Sequence, residues 1–252
     1  MRRTKDVSDL YEDVNRQINE MLEKMFAGRL KYKIDDLDMF TNRHINRVEE
    51  LTIKICRQIG LSDKDTKFCG VCAYFHDIGK ILMPPRILQK TSRLTDKEYE
   101  TIKKHTIFGY EICMLSENLS KYANAAKYHH ENEDGSGYPE GLAGQEIPIE
   151  ARIIKVADVY DAISSKRQYK GEVNRVDTLK RMNSELVEKG KVNKFIFNAL
   201  LDVIIDEIRQ ENTVQGEAEI KKILKLCSNV YTVKKKWKCS WRKMGLKVIS
   251  SS

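Results

Sequence analysis

The chain is 252 residues long with a formal charge of +8, which bounds it to one large domain, or one domain with extensions, able to bury a core. No run reaches the ~18–20 apolar residues of a membrane span, and the charged amphipathic segment after Met1 is no signal-peptide core. The excess charge is local: Asn229 to Ile249 holds seven Lys or Arg and no acid, so the high pI belongs to a tail and not to a basic domain.

Val7, Leu10, Tyr11, Val14, Ile18, Met21, Leu22 and Met25 recur at helical spacing, which predicts an amphipathic helix over 7–26. Such a helix either covers the domain's own core or serves dimerisation or signal input, and periodicity does not separate the two. A second helix is predicted over 35–60. Leu37, Phe40, His44, Val48, Leu51, Ile55 and Ile59 fall near one face, and Gly60 is placed to stop it. A turn at Leu61 to Asp63 starts a third helix, which runs into His76-Asp77-Ile78-Gly79-Lys80. Cys69 and Cys72 form a C-x-x-C within it. With no second pair to complete a tetrahedral zinc site, they read as small packing residues. The six cysteines are otherwise dispersed, as suits a reducing compartment, and the chain is read as cytoplasmic.

Pro84 and Pro85 interrupt regular structure. Thr95 and Glu98 make a capping box that opens the helix expected to carry His105. Further helices are predicted over 107–115 and 121–130. A glycine-rich loop then runs to Pro148. A long helix over 149–164 bears Asp158 and Asp161, followed by helices over 177–189, 194–211 and 217–227. Only 229–233 alternates, weakly, as a strand does. The class is all-α, divided as 1–34 (N-terminal helix or extension), 35–211 (catalytic domain) and 212–252 (C-terminal helix and basic tail).

The chain has only five histidines, and each sits in a recognisable place. His44 is mid-helix, His76-Asp77 ends a helix, His105 lies within one, and His129-His130 end another, with Asp158 mid-helix. Any one alone would read as an ordinary core or surface histidine. Together they let several helices aim imidazoles and carboxylates at one pocket, as bundles do when they build metal sites. A mixed imidazole and carboxylate set without thiolate suits iron, manganese, zinc, cobalt or nickel. The donors are too many for one ion, and a carboxylate such as Asp77 can bridge two. Two such ions lower the pKa of a shared water and clamp the oxygens of an in-line phosphoryl displacement. Lys80 would put an ammonium beside them if the helix or its last turn continues. Otherwise it is a surface lysine.

His76-Asp77 with His44, His105 and Asp158 resembles the HD phosphohydrolase superfamily. His129-His130-Glu131 and the run from Asp134 through Gly137, Tyr138 and Pro139 resemble its HD-GYP branch, the bacterial cyclic di-GMP phosphodiesterases. The likeness covers residues 35 to 205. It implies an HD-domain helical bundle whose metal site lies between helices. It implies His44, His76, Asp77, His105, His129, His130 and Asp158 as ligands of two divalent ions, Fe or Mn, with Asp77 bridging. It implies Lys80 and Asp77 as catalytic groups, and Arg167 and Lys170 as holders of the substrate phosphates. From the residues alone those two read as a solvated helix end. Gly137, Tyr138 and Pro139 would shape the turn and a docking face for a GGDEF-type cyclase. Glu131, Asp134 and Asp161 read as groups that support or cap.

Some members of that family carry a glutamate four residues before the first histidine, which supports a third metal. Here Phe40 stands there, so two metals are predicted. Glu133 replaces an aromatic and is expected to add negative charge near an anionic substrate. Gln168 replaces a proline and is expected to loosen the phosphate clamp. The activity implied is hydrolysis of cyclic di-GMP to linear pGpG and onward to GMP, which ends a second-messenger signal. The alternatives are hydrolysis of another cyclic dinucleotide, such as mixed GMP–AMP, and a non-enzymatic role in binding the dinucleotide or recruiting a cyclase. The N-terminal helix is a candidate for homodimer formation. The tail, with Trp237 and Trp241 among its basic residues, is either a solvated end or a contact for an anionic membrane or nucleic acid.

Overall fold

The computed structural model describes residues 12, 16, 19–20, 23–24, 34–165 and 173–227. The rest of the predicted 7–26 helix lies outside these residues. So do Arg167, Gln168, Lys170, the weak alternation at 229–233 and the tail with Trp237 and Trp241. The described residues are helical apart from turns, with a single isolated bridge between Asp134 and Ala143, so the all-α class stands.

Helix α1 (Ile34–Ile59) comes first. Its predicted stripe is buried at Val48, Leu51, Ile55 and Ile59. It stops where Gly60 takes a left-handed φ of 85°, with Leu61 N–H closing back on the Cys56 carbonyl at 3.0 Å, a conformation glycine adopts without steric cost. Helix α2 (Asp63–Phe75) follows, its first turn capped by the Ser62 side chain. A 3₁₀ turn (Ile78–Leu82) and a single helical turn α3 (Pro85–Leu88) come next, with Pro85 at the helix start, where a missing N–H costs nothing.

The capping box at Thr95 and Glu98 forms in both directions and opens α4 (Asp96–Lys103). That helix does not carry His105. It tightens at Lys104, whose N–H meets the Thr101 carbonyl at 3.2 Å, and His105 opens a separate helix, α5 (His105–Met114). The predicted helix over 121–130 is likewise shorter. A one-turn α6 (Glu117–Ser120) precedes α7 (Ala123–Tyr128).

The long helix α8 (Ile149–Ser164) buries Ala151, Ile153, Ile154, Val156 and Ala157 and packs against α1, α2 and α7. It also packs against α9 (Arg175–Met182) and α10 (Lys194–Glu211). Helix α9 is capped by Asn174 and widens into a π turn at Asn183–Val187. Helix α11 (Val214–Cys227) closes the bundle on α9 and α10. The fully buried Leu200, Leu201, Ile153 and Ile154 each contribute about 1.5–3 kcal/mol of burial free energy. That core fixes α1, α2 and α8, the helices on which much of the site is mounted.

Candidate metal centre

His76 and Asp77 sit where α2 gives way to the 3₁₀ turn. Asp77 adopts φ −101° and ψ 9°, a bridge conformation common among active-site residues. Gly79 explains how the turn approaches α5. A Cβ there would lie 1.9 Å from the His105 carbonyl oxygen and 2.4 Å from the Gly109 nitrogen, so only glycine lets the turn lie flat on that helix. The contact brings Asp77 to His105.

The two oxygens of Asp77 face different histidines. Oδ1 is 3.3 Å from His105 Nε2 and 3.7 Å from His129 Nε2. Oδ2 is 3.3 Å from His76 Nε2 and 3.8 Å from His44 Nε2. His130 completes the first group with Asp77, His105 and His129, while His44 and His76 form the second with Asp77. Asp158 joins through His44, at 3.3 Å. Each group places its donor atoms within 4.8 Å of one another. Every ligand predicted from sequence is therefore in one cluster, built from α1, the α2 end, the start of α5, the α7 end and α8.

The ring nitrogens fit a cation. Nδ1 of His76 donates to the Ala73 carbonyl at 2.6 Å, that of His105 to Ile102 at 2.7 Å, and that of His129 to Ala126 at 3.0 Å. A carbonyl only accepts, so the proton must be on Nδ1 and the lone pair on Nε2 faces the cluster. His105 and His129 thus point two lone pairs at each other across 3.3 Å. His76 Nε2 and Asp77 Oδ1 are buried with no hydrogen-bond partner. Buried polar atoms without partners are costly, and divalent cations held by the two groups would remove the cost. The cluster suits divalent metal.

His44 differs. Its Nδ1 meets the Asp161 carboxylate at 2.7 Å, and Arg47 grips the same carboxylate through two guanidinium nitrogens, one of them at 3.0 Å. Burial opposes charge on His44, but Asp161, Asp77 and Asp158 outweigh it and lift the imidazole to about 9. His105 goes the other way: burial lowers it to about 4. Burial and neighbouring rings hold His129 and His130 well below the usual range. Burial also works to raise Asp77, yet Lys80 and His76 hold it far below the usual carboxylate range. Lys80, brought round by the 3₁₀ turn, makes a close ion pair with Asp77 Oδ2.

The loop after His130 is pinned from inside. Glu131 is buried and accepts from the Glu140 and Gly141 N–H groups at 2.8 and 3.0 Å. Gly137 packs so tightly on residues 131–132 that a Cβ would come within 2.3 Å of the Asn132 nitrogen. Asp134 caps the Ser136 N–H at 3.0 Å. The Tyr138–Pro139 peptide is cis, and the Tyr138 ring stacks on His130 at 4.8 Å. Glu133 does not charge the site as the sequence suggests. Arg152 holds it bidentately at 2.6 and 3.0 Å, which neutralises it and ties the loop to α8. Arg47 and Arg152 were not anticipated. Arg47 had a faint signal in standing three residues after His44, on the same helix face.

Among known proteins, the family model described as an HD domain matches residues 9–188. The chain is 40% identical over 153 residues to the cyclic di-GMP phosphodiesterase response regulator RpfG of Xanthomonas campestris, covering 60% of this chain and 40% of that one. It is 41% identical over 162 residues to a cyclic di-GMP phosphodiesterase of Thermotoga maritima, covering 64% and 42%. It is 32% identical over 168 residues to 3'3'-cGAMP-specific phosphodiesterase 1 of Vibrio cholerae, covering 67% and 39%. The matched part thus spans about two fifths of the length of these relatives. The solved structure of Bd1817, an HDG"Y"P protein from Bdellovibrio bacteriovorus, superposes with a TM-score of 0.56 at 20% identity, covering 77% of this chain and 63% of that one. The fold is shared.

Proposed function

Since the chain belongs to the HD domain family and is of the HD-GYP type, we propose that it is a metal-dependent phosphodiesterase that opens cyclic di-GMP to linear pGpG and cuts onward to GMP. The observation that carries this reading is the pair of donor groups sharing Asp77, one oxygen to each. The two relatives with about 40% identity carry cyclic di-GMP phosphodiesterase in their names. The mixed GMP–AMP ring is the competing substrate, because a relative at 32% identity is named for it.

His105, His129 and His130 would hold one divalent ion, His44, His76 and Asp158 the other, with Asp77 between them. Such ions, Fe or Mn on the donor chemistry, supply Lewis acidity and a water of lowered pKa when bound. The chain's own groups do the rest. The Lys80 ammonium, paired with Asp77, would offset charge developing on the phosphate oxygens. Arg167 and Lys170 belong to the same proposal as phosphate holders, on the family resemblance alone. A GGDEF-type cyclase at the Tyr138–Pro139 turn belongs to it too, supported by the turn's being only half-buried. A reducing, cytoplasmic setting is supported by the free thiols of Cys56, Cys69, Cys72 and Cys113, and no described helix is long and apolar enough to cross a membrane.

The test is elemental analysis of anaerobically purified protein, with the same sample assayed on cyclic di-GMP and its products resolved. Two ions per chain with pGpG or GMP formed is the expected result. Metal without product points to another dinucleotide or a binding role. Failure to load Fe(II) or Mn(II) overturns the site. Lys80→Ala should lose roughly 10²-fold or more in kcat with metal retained. A fully active Lys80→Ala would remove that residue from the mechanism.

A further inference from the structure

A row of side chains leads from open surface to the metal centre, and its outer members, Tyr99 and Lys103, have no role in the chemistry above. Helix α4 carries Tyr99 and Lys103 one turn apart. Lys103 Nζ lies 5.1 Å from the Tyr99 ring centroid and 5.6 Å from that of Tyr138, and Glu100 Oε1 accepts from it at 2.6 Å. Tyr138 in turn stacks on His130, which belongs to the group around Asp77. Tyr99, at the outer end, is 47% exposed. The helix that carries it is well anchored, by the capping box and by a Lys90–Glu98 ion pair at 2.5 Å.

We infer that Tyr99 and Lys103 form the subsite for a purine base of the substrate, Tyr99 as the stacking face and Lys103 as the group that selects guanine. The inference rests on the phosphodiesterase reading. Aromatic faces take any base by stacking, so Tyr99 supplies affinity without choice. The ammonium supplies choice. It has donors only, and one edge of guanine offers two acceptors, O6 and N7, where adenine offers N7 and an amino donor. Lys103 Nζ rests over the Tyr99 ring in the free chain, so a base that stacks on that face moves the ammonium aside to its own edge.

A regiochemical consequence follows for the mixed ring. Seating its guanine on Lys103 brings one particular phosphodiester to the metal centre. Water then adds at that phosphorus, the bond to the 3′-oxygen breaks, and the released oxygen takes the proton. One linear product should form rather than two.

The experiment compares the full chain with Tyr99→Ala, Tyr99→Phe and Lys103→Ala. Each is assayed on cyclic di-GMP, cyclic di-AMP, the mixed ring and the base-free diester bis(p-nitrophenyl) phosphate. Binding of the two symmetric rings is measured by calorimetry on metal-free protein. Tyr99→Ala should raise KM for cyclic di-GMP about 10-fold or more with kcat held, and Tyr99→Phe should restore it. Lys103→Ala should bring the Kd and kcat/KM ratios of the two symmetric rings toward one and yield both linear products from the mixed ring. The base-free diester should be cut equally by all. Unchanged ratios and a single product in Lys103→Ala would overturn the subsite. So would loss of the base-free reaction in Tyr99→Ala, which would mark a structural role. A parent protein that hydrolyses nothing overturns the enzyme reading instead, and the calorimetric ratio still decides the subsite.

Discussion

The two donor groups that meet at Asp77 are held in different ways. On the Oδ1 side, His105 and His129 anchor their outer nitrogens on main-chain carbonyls of their own turns. On the Oδ2 side, His44 anchors on Asp161, which depends on Arg47. A main-chain anchor is part of the fold and cannot be removed by changing one side chain. A carboxylate anchor can. It also charges what it holds: His44 is lifted to about 9, while burial lowers His105 to about 4. In metal-free protein the Oδ1 side is therefore neutral and rigid by construction, while the Oδ2 side pairs one ring anchored on the main chain, His76 on the Ala73 carbonyl, with a charged and tunable one, His44.

The largest expected effect removes the contrast altogether. Asp77→Ala takes away the shared carboxylate, so both groups should lose metal and turnover should vanish. Elemental analysis and the cyclic di-GMP assay read this together, and a variant that kept one ion would show that the sides assemble separately. The next effect breaks the rigid side through the backbone. Gly79→Ala pushes a methyl group into the His105 carbonyl, so the turn must lift off α5. The expected cost is about 1–3 kcal/mol of stability together with loss of the His105 and His129 side of the metal content. Denaturant unfolding and elemental analysis check the two parts separately.

What the sequence disclosed follows the same division. The histidines and Asp77 were legible because few residue types do their chemistry, and their spacing put each at a helix end or on one face. The buried stripe of α1 and the Gly60 stop were legible for the same local reasons. The break between α4 and α5 was not. Nothing in Lys103-Lys104-His105 forbids a continuous helix, and the break is read only from the tight turn that lets His105 reach back to the Ile102 carbonyl. Glu133 was misread because its partner, Arg152, is 19 residues away on another element. Arg47 went unseen because its target, Asp161, is 114 positions distant. Local signals reach one or two turns along the chain, whereas these supports are made by tertiary packing.

The tunable side can be weakened without touching a donor. Asp161→Asn keeps the shape and one acceptor for His44 but cannot satisfy Arg47. Outer anchors of metal ligands are worth roughly 10–100-fold in metal affinity, so one of the two ions should bind that much more weakly while the other is unchanged. A competitive chelator titration resolves the two. Equal weakening of both ions, or of neither, would remove the distinction between the sides.

The smallest effect is one of sign, and it sharpens the comparison in metal-free protein. His44 has a folded pKa of about 9 against 6.5 unfolded, so the folded state binds more protons between those values. Stability from His44 is fully present below 6.5 and is lost as pH rises toward 9. His105 has a folded pKa of about 4, so there the unfolded state binds more protons, and stability is lost as pH falls from 6.5 toward 4. Denaturation midpoints across pH 4 to 9 should fall on both flanks. In Asp161→Asn the alkaline flank should flatten, because His44 loses the partner that raised it, while the acid flank stays. An alkaline flank unchanged by Asp161→Asn would mean that the charge on His44 is held by Asp77 and Asp158, and that Asp161 fixes only the direction in which the ring points.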